Sequence, residues 1–155
     1  MMLDFSDMKE QDAKGKLPEG KHLVTLTTVG ELKANKSGKA GFCMWFEKTP
    51  FKPVMQYIQM TDNIFDKRRI MNTLTAFNVK LEQREYKPKE VYAMIKKCEQ
   101  AQCEVEIMLK DDSFVNDEGE KINFKKREIA TLLPTETKAT PDPVKEADLE
   151  EIDLF

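Results

Sequence analysis

The chain has 155 residues and a formal net charge of -3, with 34% charged and 40% hydrophobic residues. That length allows one domain with a substantial core but not two. The N-terminus lacks the basic-then-apolar pattern of a signal peptide, and no apolar run approaches membrane-spanning length. The sequence therefore predicts a soluble cytoplasmic protein and excludes a membrane protein.

Charge is distributed unevenly along the chain. Residues 141–155 hold six acids and one lysine, so the first 140 residues carry 24 bases against 22 acids. Residues 1–12 are also acidic, and setting them aside leaves 23 bases against 18 acids in the middle. A mildly basic body between two acidic ends is compatible with a polyanionic ligand, which the net charge alone would argue against.

The N-terminal part is predicted to contain an arm, a turn and a strand. Residues 1–16 are polar and acidic, which favours a loosely held N-terminal arm. Leu17–Gly20 is a turn signal before a Val- and Thr-rich strand, Lys21–Leu32. Gly30 interrupts the alternation of this strand and predicts a bend of the kind that small barrels need. A flexible basic loop, residues 35–41, follows.

Two short alternating runs, Phe42–Lys48 and Val54–Met60, flank a proline corner at residues 49–53 and are predicted to be neighbouring strands. A period of two places three large apolar side chains of the first run on one face, which is therefore the core face: Phe42, Met44 and Phe46. Trp45, the single tryptophan, points to the opposite face. In the second run the same period separates Tyr57 from the core-facing residues Val54, Ile58 and Met60.

After these strands the apolar spacing becomes helical. Residues 62–78 are predicted to form a helix with Asp62 or Asn63 as its N-cap. A second helix is predicted to begin at Pro88, an acceptable first-turn residue, and to reach about Gln100.

Two further strands complete the pattern. Cys103–Lys110 and Lys121–Leu133 alternate, and the acidic segment 111–120 between them is predicted to be a hairpin loop. Residues 17–134 thus follow the order of an OB-fold, a five-stranded, partly open barrel that is mainly β with a helical insert (α+β). Other small α+β domains share this order. Residues 135–155 are predicted to be a disordered linker and acidic tail.

The residues give little basis for catalysis or metal binding. The three cysteines have no pairing pattern, and the Cys-x4-Cys of Cys98 and Cys103 lacks the second ligand pair of a zinc site, so reduced thiols are expected. His22 is the only histidine and has no candidate nucleophile partner. Without a phosphate-binding glycine motif or a nucleophile elbow, the sequence predicts a protein that is not an enzyme and uses no cofactor or metal.

Several short motifs resemble a known family. The opening LDFSDMKEQ, the segment LPEGKHLVTL, the Lys36-Ser37-Gly38 turn and the helix end Leu74-Thr75-Ala76-Phe77 are similar to bacteriophage single-stranded DNA-binding proteins encoded near replication or recombination genes. The likeness covers residues 3–134 in order. It implies an OB-fold that coats unpaired DNA without strong sequence preference during replication, recombination or repair, in the cytoplasm of the host cell.

The tail EADLEEIDLF is similar in kind to the acidic, phenylalanine-ended tips of such proteins, although Leu154 stands where the bacterial tip often has proline. This likeness implies that Asp153, Leu154 and Phe155 bind replication or recombination proteins. The acidic tail is also expected to compete with DNA for the basic groove of its own protein. A tail that only aids solubility is the alternative.

A sheet face that carries aromatic rings edged by lysines suits the stacking of unpaired bases. The candidate stacking residues are Trp45, Tyr57, Phe51 in the proline corner and Phe114 in the acidic loop. The candidate phosphate contacts are Lys36, Lys39, Lys48, Lys52, Lys125 and Arg127, which are predicted to line one groove. For Trp45, the alternative is a residue that caps the barrel edge or is covered by the N-terminal arm.

Three functions fit these residues. The first is a binder of single-stranded DNA that protects unpaired strands. The second is a protein-interaction adaptor in which the same face holds a peptide, because fold alone does not fix the ligand. The third is a strand-annealing accessory protein. Self-association is left open.

Overall fold

The computed structural model describes residues 1–6 and 15–135 and, within the acidic tail, the single position Leu149. The strands in these residues are β1 (Gly20–Val29), β2 (Lys33–Ala34), β3 (Ala40–Glu47), β4 (Val54–Gln59), β5 (Gln102–Val115) and β6 (Lys121–Leu133). The helices are α1 (Ile64–Ala76) and α2 (Pro88–Lys96). The protein is therefore mainly antiparallel β with two helices, in the predicted α+β class. No helix in this part of the chain has the length and apolar character needed to cross a bilayer.

All strands belong to one antiparallel sheet. Its hydrogen-bonded order is β2-β3-β1-β5-β6, and β4 pairs with β3. Among the described residues β4 and β6 share no ladder, so the sheet is open, and α1 contacts both of these strands.

The prediction of five strands is wrong by one short strand. The sequence predicts a first strand that reaches Leu32, but β1 ends at Val29. The chain then pairs with β3 a second time at β2, where Lys33 lies opposite Gly41. The interruption falls at Gly30, whose N–H still donates to the Cys43 carbonyl at 2.8 Å. A side chain at Gly30 would bring a Cβ within 3.3 Å of that carbonyl oxygen, so the strand bends where glycine allows the two backbones to approach.

The predicted core face of β3 is confirmed. Phe42, Met44 and Phe46 are almost completely buried. The core also contains apolar residues of β1, β5, both helices and the C-cap of α1: Val24, Leu26, Val105, Ile107, Leu74, Tyr92, Ile95 and Phe77. Full burial of a large apolar side chain contributes about 1.5–3 kcal/mol, so this face fixes which side of β3 looks outward.

The helix starts follow their capping residues. Asn63 is the N-cap of α1, as predicted, and its Oδ1 accepts the Phe65 N–H at 2.8 Å. α2 begins at Pro88 as predicted but ends at Lys96 rather than near Gln100. After Lys96 the chain continues in tighter turns, in which the Cys98 and Glu99 N–H groups donate to the carbonyls of Ile95 and Lys96. Gln100 has a φ of 74°, and its N–H donates to the Leu26 carbonyl at 2.7 Å. Pairing with β1 therefore overrides the helical pattern.

The predicted acidic loop, residues 111–120, is wrong over its first half. β5 continues to Val115, and the turn occupies only residues 116–120, where the Asn116 side chain accepts the N–H groups of Glu118 and Glu120 at 3.0 and 2.9 Å. β1 pairs with β5 only as far as Ile107, opposite Gly20. Beyond that point β5 and β6 form a two-stranded projection, residues 108–128, that we call the arm. Because both faces of the arm are exposed, residues 111–115 have no apolar alternation to mark them as part of a strand.

The segment before β1 packs between the proline corner and β6. Leu17 is only 2% exposed, and its carbonyl accepts a hydrogen bond from the Arg127 Nε at 3.1 Å. The Lys52 N–H donates to the Gly15 carbonyl at 2.9 Å. Of the predicted N-terminal arm, residues 7–14 lie outside the described part of the chain.

Candidate nucleic-acid interface

Trp45 lies on β3, on the sheet surface opposite the core, which we call the outer face. It is 40% exposed, and its neighbours across the strands are Thr28 on β1 and Met55 on β4. Met55 is itself 46% exposed. The indole and the thioether side chain therefore form an apolar patch on the outer face, as the alternation of β3 predicts for Trp45.

Tyr57 shares the outer face and lies over Gly41. A Cβ built at Gly41 would fall 1.9 Å from the Tyr57 hydroxyl oxygen and 2.4 Å from Cζ, so the ring occupies the space that a side chain would need. The Asn35 amide donates to the Tyr57 hydroxyl at 3.3 Å. These contacts hold the ring beside Cys43, its cross-strand partner.

The basic loop between β2 and β3 is a closed turn built on Asn35. The Asn35 Oδ1 accepts the Ser37 and Lys39 N–H groups at 2.9 and 3.1 Å, and the Asn35 N–H donates to the Lys39 carbonyl at 2.8 Å. Asparagine is common in turns because its side chain can accept N–H groups of the residues that follow it. Gly38 has a positive φ of 76° in this turn. Lys36 and Lys39 are therefore exposed at a defined place beside Tyr57.

A chain of hydrogen bonds connects this turn to α1. The Asn35 amide donates to the Gln59 Oε1 at 3.1 Å, and the Gln59 amide donates to the Asp66 carboxylate at 3.1 Å. The Thr61 hydroxyl also donates to that carboxylate. The Thr61 hydrogen bond is the main reason that the pKa of Asp66 is lowered, against the opposing effect of partial burial. An ionised Asp66 thus anchors the end of the outer face.

Three residues of this surface are not among the candidate site residues predicted from the sequence. Lys33 lies opposite Gly41 and so next to the Tyr57 ring, Met55 lies beside Trp45, and Asn35 shapes the turn. Lys33 belongs to the short β2, which alternation did not separate from the first strand. The surface that we call the Trp45 platform contains Trp45, Met55, Tyr57, Cys43, Lys33, Lys36 and Lys39.

The corner residues lie elsewhere. The Lys48 ammonium is directed to the His22 Nδ1 at 3.3 Å, and the His22 Nε2 donates to the Pro18 carbonyl at 2.7 Å. Lys48, a candidate phosphate contact, is therefore bound to His22. Phe51 is partly buried against the core, and Lys52 is also partly buried. The lone histidine thus makes structural hydrogen bonds on both of its ring nitrogens.

Lys125 and Arg127 do share a side of β6, but that side is the one that bears Ile129, which packs against the core. Arg127 is bound to the Leu17 carbonyl. Trp45 faces the opposite side of the sheet, so the six predicted bases do not line one groove.

Phe114 is a strand residue of the arm rather than a loop residue. It is 53% exposed and packs against Phe124, with ring centroids 5.8 Å apart. Between this pair and the Trp45 platform the outer face carries three acids, Glu47, Glu104 and Glu106 on β3 and β5, against Lys21 on β1, which lies opposite Glu106. A polyanion crossing the middle of the sheet would meet these carboxylates, so the favourable surface is confined to the Trp45 platform.

The thiols differ in environment. Burial raises the pKa of Cys98 and of Cys103 to about 12, whereas Cys43 is only partly buried. All three are free thiols. Within the described residues, no three His, Cys, Asp or Glu side chains are grouped so that they could hold a metal ion.

The predicted partner-binding residues Asp153, Leu154 and Phe155 lie outside the described residues. The sequence matches no model of a known protein family and no curated protein. The function is therefore inferred from the chemistry of the Trp45 platform and from the strand connectivity.

Proposed function

We propose that this protein binds single-stranded DNA through the Trp45 platform, that its domain is an OB-fold, and that it acts without catalysis. In this role it coats and protects unpaired DNA during phage replication or recombination in the cytoplasm of the host cell. Its acidic tail, with Asp153, Leu154 and Phe155 at the end, recruits replication or recombination proteins.

The strand connectivity supports an OB-fold. The pairings β1 with β3, β3 with β4, β1 with β5 and β5 with β6 are those of a five-stranded Greek-key barrel with β2 as a short continuation of β1. The helices lie between the third and fourth main strands. α1 contacts both strands beside the opening, which suits the partly open form of this barrel.

The observation that carries the function is an exposed indole on the outer face, with Tyr57 and three exposed lysines toward the Gly41 end of the same strand. An aromatic platform accepts any base, because every base has a flat face, and truncation of such a residue costs about 1–3 kcal/mol per stacked base. Lys33, Lys36 and Lys39 are exposed and can each contact a phosphate. With three such contacts, affinity should fall with salt at a log-log slope of about -2, since each contact to a single strand contributes about -0.7.

The test is a titration of the Trp45 fluorescence. Oligo-dT should quench it strongly, and duplex DNA of the same length should not. In an anisotropy assay with labelled oligo-dT, Trp45→Ala should weaken binding about 5- to 150-fold, the equivalent of 1–3 kcal/mol. Leu23→Ala removes an outer-face side chain that is similarly exposed but lies on β1 near the arm, and it should bind normally. Equal quenching by duplex, or no response at low salt, would remove the proposal.

One observation favours the adaptor function. The carboxylates of Glu47, Glu104 and Glu106 would attract a cationic peptide to the middle of the outer face. An adaptor predicts binding of a Lys- and Arg-rich peptide that is lost when Glu104 and Glu106 are changed to Gln. It also predicts no response of Trp45 to oligo-dT, so the same fluorescence titration distinguishes the two functions.

A further inference from the structure

The first turn of α1 carries an exposed aromatic ring that the core does not use. Phe65 is 72% exposed, which makes it the most exposed aromatic side chain in the described part of the chain. It is not among the residues that α1 buries, which are Ile70, Thr73, Leu74 and Ala76. An exposed apolar side chain is ordinary in itself, so what Phe65 can do depends on the groups around it.

The backbone at Phe65 is held in a defined place. The Phe65 N–H donates to the Asn63 Oδ1 at 2.8 Å. The carboxylate of the next residue, Asp66, accepts the Gln59 amide at 3.1 Å and also the Thr61 hydroxyl. The N-terminal end of α1 is therefore tied to the end of β4, and a ligand that binds there need not order the segment first.

Two arginines lie one turn further along the helix. Arg68 and Arg69 follow Phe65 by three and four residues, which places them on its side of α1. Both arginines are exposed. Lys67 is paired with Asp62 at 3.1 Å, whereas neither arginine forms an ion pair within the described residues. We call Phe65, Arg68 and Arg69 the α1 patch.

The α1 patch adjoins the Trp45 platform. The Lys39 ammonium of the platform and the Arg69 guanidinium both lie close enough to the Asp66 carboxylate to interact with its charge. Gln59, which donates to that carboxylate, lies four residues along the sheet from the level of Trp45, a distance of about 13 Å. Between these two levels the outer face of β3 and β4 carries no carboxylate. A bound chain can therefore pass from the platform to α1 without crossing an acidic strip.

The chemistry of the α1 patch repeats that of the platform. A flat ring offers a stacking surface to a base, and guanidinium groups bind phosphates. Segments 35–39 and 62–69, which meet at Asp66, hold five bases against two acids. This balance favours a polyanion and disfavours the cationic peptide that an adaptor would hold.

We propose that a single strand of DNA continues from the Trp45 platform onto the α1 patch, where Phe65 stacks on a base and Arg68 and Arg69 contact phosphates. This second site rests on the proposed function, because it lengthens the surface that the platform begins. An oligonucleotide short enough to lie on the platform alone would not reach α1. One within the range that an OB-fold covers, about 4–16 nucleotides, would occupy both sites.

The length dependence of the affinity tests the stacking contact. Oligo-dT of about 12 nucleotides is within the OB-fold range, whereas about 3 stacked nucleotides, at about 3.4 Å each, fall short of the distance from Trp45 to Gln59. With Trp45 quenching as the readout, Phe65→Ala should weaken binding of the longer oligomer at least about fivefold and leave that of the shorter one unchanged. Phe114→Ala removes a ring that is 53% exposed on the arm, and it should leave both affinities unchanged.

The salt dependence of the longer oligomer tests the two arginines. Two phosphate contacts added to the three of the platform should steepen the log-log slope from about -2 to about -3.4, at about -0.7 per contact. The double variant Arg68→Gln, Arg69→Gln should return the slope to about -2. Lys80→Gln removes an exposed base beyond the other end of α1 and should leave the slope unchanged. Because all these side chains are exposed, the melting temperatures should stay close to that of the wild type.

The possible results separate the second site from the proposed function. Wild-type binding with unchanged affinity and salt slope in every α1 variant would overturn the second site and leave the function standing. Equal weakening of both oligomers by Phe65→Ala would also overturn it. If the α1 variants keep their oligo-dT affinity but lose binding of a synthetic peptide of residues 141–155, the patch belongs to the acidic tail. Absence of quenching in the wild-type protein would remove the proposed function, and the second site with it.

Discussion

Substitution of Gly41 by alanine is the most direct test of how Tyr57 is held on the outer face. The added Cβ would lie 1.9 Å from the Tyr57 hydroxyl oxygen, whereas ordinary contact begins at 3.4 Å, so the ring must move by about 1.5 Å. It would also lie 2.9 Å from the Ile58 carbonyl oxygen, which is backbone and gives way less easily. Gly41 has no positive φ, so alanine there would otherwise be neutral or stabilising.

The cost can be estimated from these contacts. Overpacking of this kind costs about 1–3 kcal/mol. Displacement of the ring also breaks its hydrogen bond with Asn35, which contributes about 0.5–1.5 kcal/mol. Gly41→Ala should therefore lower the free energy of unfolding by about 2–4 kcal/mol. In a Tyr57→Ala background only the Ile58 contact remains, and the cost of the same change should fall by at least about 1 kcal/mol.

Urea unfolding followed by Trp45 fluorescence measures all four proteins of this double-mutant cycle. Gly15→Ala is the matched control, because a Cβ there meets nothing within 4 Å, and it should leave the unfolding midpoint unchanged. If the loss of stability in the double variant equals the sum of the losses in Gly41→Ala and Tyr57→Ala to within about 0.5 kcal/mol, the ring does not lie over the glycine. The Trp45 platform would then lack the contact between Tyr57 and Gly41.

Further outcomes can be stated for the turn, the carboxylate and the thiols. Asn35→Ala removes the acceptor of two turn N–H groups and should lower stability by about 1–2 kcal/mol and weaken oligo-dT binding, measured by urea unfolding and anisotropy. The pKa of Asp66 is lowered from its ordinary 3.8, so its stabilising effect is complete well above that value and declines as pH falls below it. Asp66→Asn should therefore reduce the melting temperature more at pH 7 than at pH 2.5. Because burial raises the pKa of Cys98 and Cys103 to about 12, iodoacetamide at pH 8 should alkylate Cys43 alone in the folded protein, which mass spectrometry would count. Equal loss of stability in Asp66→Asn at both pH values, or labelling of all three thiols, would contradict these assignments.

Local signals predicted the parts of the fold that depend on one element at a time. The core face of β3 follows from three large apolar residues at a period of two, and burial of that face is what orients Trp45. Asn63 caps α1 because its side chain satisfies an N–H of the first turn, a contact two residues away in sequence. The bounds of β6 were also predicted, since Pro134 ends the alternation.

The arm and the distribution of charge could not be predicted in this way. Asp111 and Asp112 belong to a strand whose two faces are exposed, so no alternation distinguishes them from loop residues. Lys125 and Arg127 share a side of β6, as predicted, but their position relative to Trp45 depends on which face of the whole sheet carries the core. Sequence spacing gives the side of a residue within its own strand and does not relate the sides of distant strands.

The position of Leu17 affects how the chain can be shortened. A protein that began at Gly20 would keep every strand and helix, yet a buried leucine would be missing from the interior, and Arg127 and Lys52 would lose the carbonyl groups that they contact. Expression boundaries and protease cleavage sites should therefore be chosen before Gly15 rather than at the first strand. The smallest stable unit of this protein begins in a stretch that has no regular secondary structure.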